Sequence, residues 1–96
     1  SSLFIGQGAQ IAHNVTIIDH DHDFHALARG DSQATGMAAP ISIGRNAWIG
    51  ANAIVLKGVE LANNSVIAAG AVVTKSVPAG SIAMGTEARS RPLPHA

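Results

Sequence analysis

From Ile43 to Val77 the chain reads IGRNAWIGANAIVLKGVELANNSVIAAGAVVTKSV, and the order in it appears only when it is taken six residues at a time. Ile43, Ile49, Val55, Leu61, Ile67 and Val73 hold the first place of successive hexads. The second place is mostly small (Gly44, Gly50, Leu56, Ala62, Ala68, Thr74), and the fifth is small or β-branched (Ala47, Ala53, Val59, Ser65, Ala71, Val77). A period of six is neither the 3.6 of a helix nor the 2 of a flat strand. It marks a solenoid, in which each repeat buries its inner face only against its neighbours.

The same period runs through Ile5-Gly6, Ile11-Ala12 and Ile17-Ile18, with Ala9 and Val15 in the fifth place. Six residues make a short strand and a tight corner, so three hexads close one triangular coil. Successive coils stack at the strand spacing of about 4.8 Å. First-place side chains then fill the prism, and corner backbones that pack closely require small neighbours. Gly8, Asn14, Asn46, Asn52, Gly58, Asn64 and Gly70 fall in the fourth place, and these residue types tolerate positive φ.

Composition fits such a prism. Hydrophobic residues are 47% of the 96, yet aromatics are only 3%, which suits a narrow aliphatic interior. Charged residues are 12%, with six acids against six bases and no basic run, which argues against a nucleic-acid partner. That low charge suggests an outer surface partly covered by other subunits. Without cysteine there is neither a disulfide framework nor a thiol nucleophile. No apolar run is long enough for a membrane helix, so a cytoplasmic protein without membrane insertion is expected. Because the chain opens already in register, further N-terminal coils are expected to precede it.

The period breaks between Ile17 and Ile43, a distance that is not a multiple of six. Residues 23–40, DFHALARGDSQATGMAAP, lack an apolar repeat and read as a loop extruded from the stack. Beyond Val77, Pro78-Ala79-Gly80 reads as a turn and Ser81–Met84 as a last strand. Residues 86–96 read as a C-terminal tail after a β-helix domain of residues 1–85, with any helical cap short or absent.

The chemistry concentrates in Asp19 to His25, DHDHDFH: three His and three Asp in a chain otherwise poor in charge. An imidazole, with an ordinary pKa near 6.5, can take a proton from a hydroxyl at neutral pH. A solvated polar corner and a metal site are the competing readings of this stretch. Trp48, the single tryptophan, falls in the sixth place, where a ring does not fit a narrow prism, so a contact surface is expected there. His13 reads as a corner residue on the outside.

These phrases, IGRNAWIGANAIVLKGVELANNSVIAAGAVVTKSVPAGS and IGQGAQIAHNVTIIDHDH, resemble the hexapeptide-repeat acyltransferases, an all-β family of left-handed parallel β-helices. Together they span about three-fifths of the chain. The His before the loop, Asn46-Ala47-Trp48-Ile49-Gly50 and Val72-Val73-Thr74-Lys75 are most similar to the maltose and galactoside O-acetyltransferase branch and its polysaccharide-modifying relatives. The resemblance implies a homotrimer with sites between adjacent subunits. It implies acetyl-CoA as co-substrate without a metal, and transfer of acetyl to a hydroxyl of a sugar or glycan precursor. It carries the general base onto His22, eleven residues after Ile11, with His20 as second choice. Trp48 becomes a wall of the donor cleft, Ala51 and Ala69 offer backbone groups to the pantetheine arm, and Thr74, Lys75 and Arg89 face its far end, with Arg91 as a further cation. Backbone amides near the cleft would stabilise the oxyanion. One departure stands out: Gly85-Thr86-Glu87-Ala88-Arg89 replaces the relatives' Gly-Asn-Pro-Ala-Lys/Arg, which sets an acid where phosphate is expected. Two alternatives remain open: a zinc enzyme of the γ-carbonic-anhydrase kind using His20, His22 and His25, and a non-catalytic β-helix assembly module.

Overall fold

The computed structural model describes residues 3–18, 20–22 and 36–94. Thirteen short strands and no helix make up the described residues. Three parallel sheets form the faces of a triangular prism. The first face stacks β1 (Leu3–Ile5), β6 (Ile41–Ile43) and β9 (Glu60–Leu61). The second stacks β2 (Gln10–Ile11), β7 (Trp48–Ile49), β10 (Val66–Ile67) and β12 (Ser81–Met84), edged by β13 (Arg89–Pro92). The third stacks β3 (Thr16–Ile17), β8 (Ile54–Val55) and β11 (Val72–Val73). This is the left-handed parallel β-helix expected from the hexads.

The register is that of the repeat. Ile43 lies between Ile5 and Leu61, Ile49 between Ile11 and Ile67, and Val55 between Ile17 and Val73. First-place and fifth-place residues form one apolar core, with Ile43, Ile49, Val55, Leu61 and Ile67 fully buried. All seven fourth-place residues named above adopt positive φ, between 57° and 77°. The small second place has a direct cause at two of the corners. A Cβ on Gly50 would stand 2.6 Å from the Ala69 nitrogen, and one on Gly44 would stand 2.6 Å from the Asn63 nitrogen. Asn63 uses the room beside Gly44 to accept the Arg45 N–H on its side-chain oxygen at 2.8 Å. At the third corner the second place holds Ile18, Leu56 and Thr74, so that corner is the broad one.

Three features differ from the sequence reading. First, Val77, counted in the fifth place, pairs with Leu61 and so takes a first-place role. The chain cuts that corner by two residues, and Gly80 becomes the next fourth-place residue, with φ of 65°. Second, part of the tail is a strand: the chain reverses at Gly85 and β13 runs antiparallel to β12, with Ile82 opposite Arg91 and Met84 opposite Arg89. Ala88 packs against the core and donates its N–H to the Val72 carbonyl, so this hairpin covers the upper end of the prism. Third, the extruded loop has a structured base. β4 (His20–His22) and β5 (Gly36–Ala38) form an antiparallel pair in the register His20–Ala38, Asp21–Met37, His22–Gly36. At the lower end, Ile5 and Ile11 are 46% and 39% exposed, because no described coil lies beneath them.

Candidate active site

Corner residues form vertical columns, because each coil repeats the one below. Between the second and third faces the column is His13, Ala51 and Ala69. It is held by main-chain bonds from Asn52 N–H to the His13 carbonyl (3.1 Å) and from Gly70 N–H to the Ala51 carbonyl (2.9 Å). Ala51 is half-buried and Ala69 exposed, so the main chain here has little side chain over it. Trp48 lies on the outside of the second face, on the strand that leads into this corner, in line with Gln10 below and Val66 and Ile82 above, and is 46% exposed. The sixth place therefore does turn the indole outward, as the sequence implies.

Thr74 and Lys75 occupy the next corner, between the third and first faces, and both are exposed. Thr74 continues the column of Ile18 and Leu56; Ile18 donates to Val55, and Leu56 donates to Val73. The strand His20–His22 leaves the stack from the lowest coil of this same corner. His25 lies outside the described residues. Arg89 and Arg91 sit on β13 and are exposed, with exposed Glu87 in the turn between the two strands.

One chain thus carries Ala51 and Ala69 at one corner and Trp48 on the strand that leads to it. It brings Thr74, Lys75 and the start of the His20–His22 strand to another, a full side of the triangle away. Separately, a hollow of about 400 Å³ on the first face is lined by Phe4, Ser42, Arg45, Glu60 and Asn63, and none of the candidate residues borders it. What the sequence reading missed is the placement of His13. Its column with Ala51 and Ala69 is visible only once coils are stacked.

Residues 40–75 match the family model described as the hexapeptide repeat of succinyl-transferase. The galactoside O-acetyltransferase of Escherichia coli (strain K12) is 39% identical over 88 residues, which cover 92% of this chain and 42% of that protein. The chain thus spans less than half of that relative's length. Among solved structures, a maltose O-acetyltransferase from Clostridium difficile 630 superposes with a TM-score of 0.73 at 26% identity, covering 94% of this chain and 58% of that one. A galactoside acetyltransferase in complex with coenzyme A gives a TM-score of 0.70 at 29% identity, covering 93% and 54%. With the repeat, the register and these relatives in agreement, the chain is a hexapeptide-repeat β-helix similar over most of its length to galactoside and maltose O-acetyltransferases.

Proposed function

We propose that this chain supplies the donor trench and the general base of an acetyl-CoA-dependent O-acetyltransferase acting on a hydroxyl of a sugar or glycan precursor. The observation that carries the reading is the split of the candidate residues between two corners. A trench wall of Trp48, Ala51 and Ala69 and a base-bearing corner with Thr74 and Lys75 meet only when two copies of the chain lie side by side. A homotrimer with three such contacts brings the two corners together at each contact. A cytoplasmic location goes with this reading, since the donor is a cytoplasmic metabolite.

In the reaction, His22 accepts the proton of the acceptor hydroxyl. The freed oxygen bonds to the thioester carbon, the carbon–sulfur bond breaks, and the proton held by His22 passes to the departing sulfur. The products are an acetyl ester and coenzyme A. The corner main chain presents N–H groups and carbonyls at one-coil intervals, which suits an arm carrying amides. Lys75, Arg89 and Arg91 are cations suited to the nucleotide phosphates. Glu87 beside Arg89 weakens that end, and Arg91, one strand step further on the same side, offsets it.

The test is acetyl transfer by the intact protein with His22→Ala and His20→Ala. A loss of on the order of 10² or more in His22→Ala, with His20→Ala milder, fits a general base at position 22. The reverse order would move the base to His20, and full activity in both would remove the base from this strand.

A further inference from the structure

The corner column of His13, Ala51 and Ala69 has unlike ends. Its upper end meets the terminal hairpin: the Val72 N–H donates to the Gly85 carbonyl, and the Ala88 N–H to the Val72 carbonyl, which sets Arg89 just above this corner. Arg91 follows on the same strand, opposite Ile82. The lowest described rung carries His13, an exposed residue and the one large side chain among these three. A molecule with an anionic head and an acylated tail that follows the column therefore sets its head among the cations and its tail toward His13. The lowest coil is also the one from which the His20–His22 strand departs.

We propose that His13 is the floor of the acyl trench and restricts the donor to short acyl groups. This rests on the acyl-CoA reading above and adds the substrate range to it. In this proposal the thioester stands level with Ala51, and one coil step of about 4.8 Å separates it from the rung of His13. An acetyl group fits in that step, whereas a butyryl or hexanoyl chain meets the imidazole. His13 thus stands outside the prism, as its corner position requires, but inside the trench. Its carbonyl, not its side chain, holds the corner to Asn52, so the side chain can be replaced without removing a bond of the fold.

The experiment compares kcat/KM for acetyl-CoA, butyryl-CoA and hexanoyl-CoA in the intact wild-type protein, His13→Ala and His13→Phe. Pocket discrimination per methylene runs at about tenfold or more. In His13→Ala the butyryl-to-acetyl ratio should rise at least about tenfold, while His13→Phe keeps the wild-type preference. An unchanged ratio in His13→Ala overturns the proposal, and so does an equal rise in His13→Phe, since bulk would then not be the cause. A weakened affinity of His13→Ala for coenzyme A without an acyl group also overturns it, because the residue would then touch the arm and not the acyl tail. If the wild type neither binds acetyl-CoA nor transfers acetyl, the acyl-CoA reading itself has failed. If it does both and the ratio does not move, only the role of His13 has failed.

Discussion

The side-chain oxygen of Ser76 accepts the main-chain N–H of Glu60 at 2.9 Å. In the coils below, the equivalent N–H groups of Ser42, Trp48 and Ile54 donate to the carbonyls of Val59, Ser65 and Ala71. The cut corner before Val77 removes the residue that would supply such a carbonyl, and the Ser76 hydroxyl takes its place. Without it, a strand N–H would have no protein acceptor.

Ser76→Ala should therefore destabilise the protein by about 1 kcal/mol, the usual net worth of one hydrogen bond. Ser76→Thr should keep most of it. Urea unfolding of the three proteins checks this, and equal midpoints for Ser76→Ala and wild type would mean that solvent satisfies Glu60 equally well.

Ser65 presents the opposite case. It is fully buried in a fifth place, its hydroxyl has no hydrogen-bond partner among the described residues, and the other fifth-place residues are Ala or Val. A buried hydroxyl left unpaired costs about 1–3 kcal/mol. Ser65→Ala removes that cost together with one small atom, so the variant should unfold at higher urea by the equivalent of about 1 kcal/mol. A loss of stability in Ser65→Ala would mean that the hydroxyl finds a partner in the folded protein.

The hexads made the interior, the corners and the positive-φ sites legible, because each depends on a residue's place within six. Two departures were not legible. Val77 suits a first or a fifth place equally, so nothing in its side chain announces the cut corner. Arg-Ser-Arg-Pro at 89–92 pairs through main chain at a sheet edge, where charge and proline are both tolerated, and so carries no apolar pattern. Within the site, Trp48 was legible because the sixth place turns outward. His13 was not, since its neighbours Ala51 and Ala69 stand far from it in sequence.

Gly50 separates a steric from a conformational requirement. It is buried and its φ is not in the left-handed region, so any residue could adopt its backbone; what excludes a side chain is the Ala69 main chain at 2.6 Å. Gly70 is the converse, with φ of 74° and nothing within 4 Å of an added Cβ. Gly50→Ala should cost about 2 kcal/mol or more, as overpacking does. Gly70→Ala should cost about 1 kcal/mol, the penalty of a left-handed alanine. Thermal or urea unfolding ranks the two, and a larger loss in Gly70→Ala would show that the corners have room to spread.

Trp48 offers an indole in line with Val66 and Ile82, on the strand that leads to the Ala51 corner. If that ring walls the donor trench, Trp48→Ala should weaken acetyl-CoA binding about tenfold or more, since truncating a packed tryptophan costs about 2 kcal/mol or more at contact sites. The proposed homotrimer should persist in that variant. Lys75→Ala should weaken binding less, and its deficit should shrink as salt is raised, because an exposed cation acts through screened charge. Calorimetric titration with acetyl-CoA at low and high salt, paired with sedimentation, measures both. Unchanged affinity in Trp48→Ala, accompanied by dissociation of the oligomer, would assign the indole to the contact between copies and leave the trench without its aromatic wall.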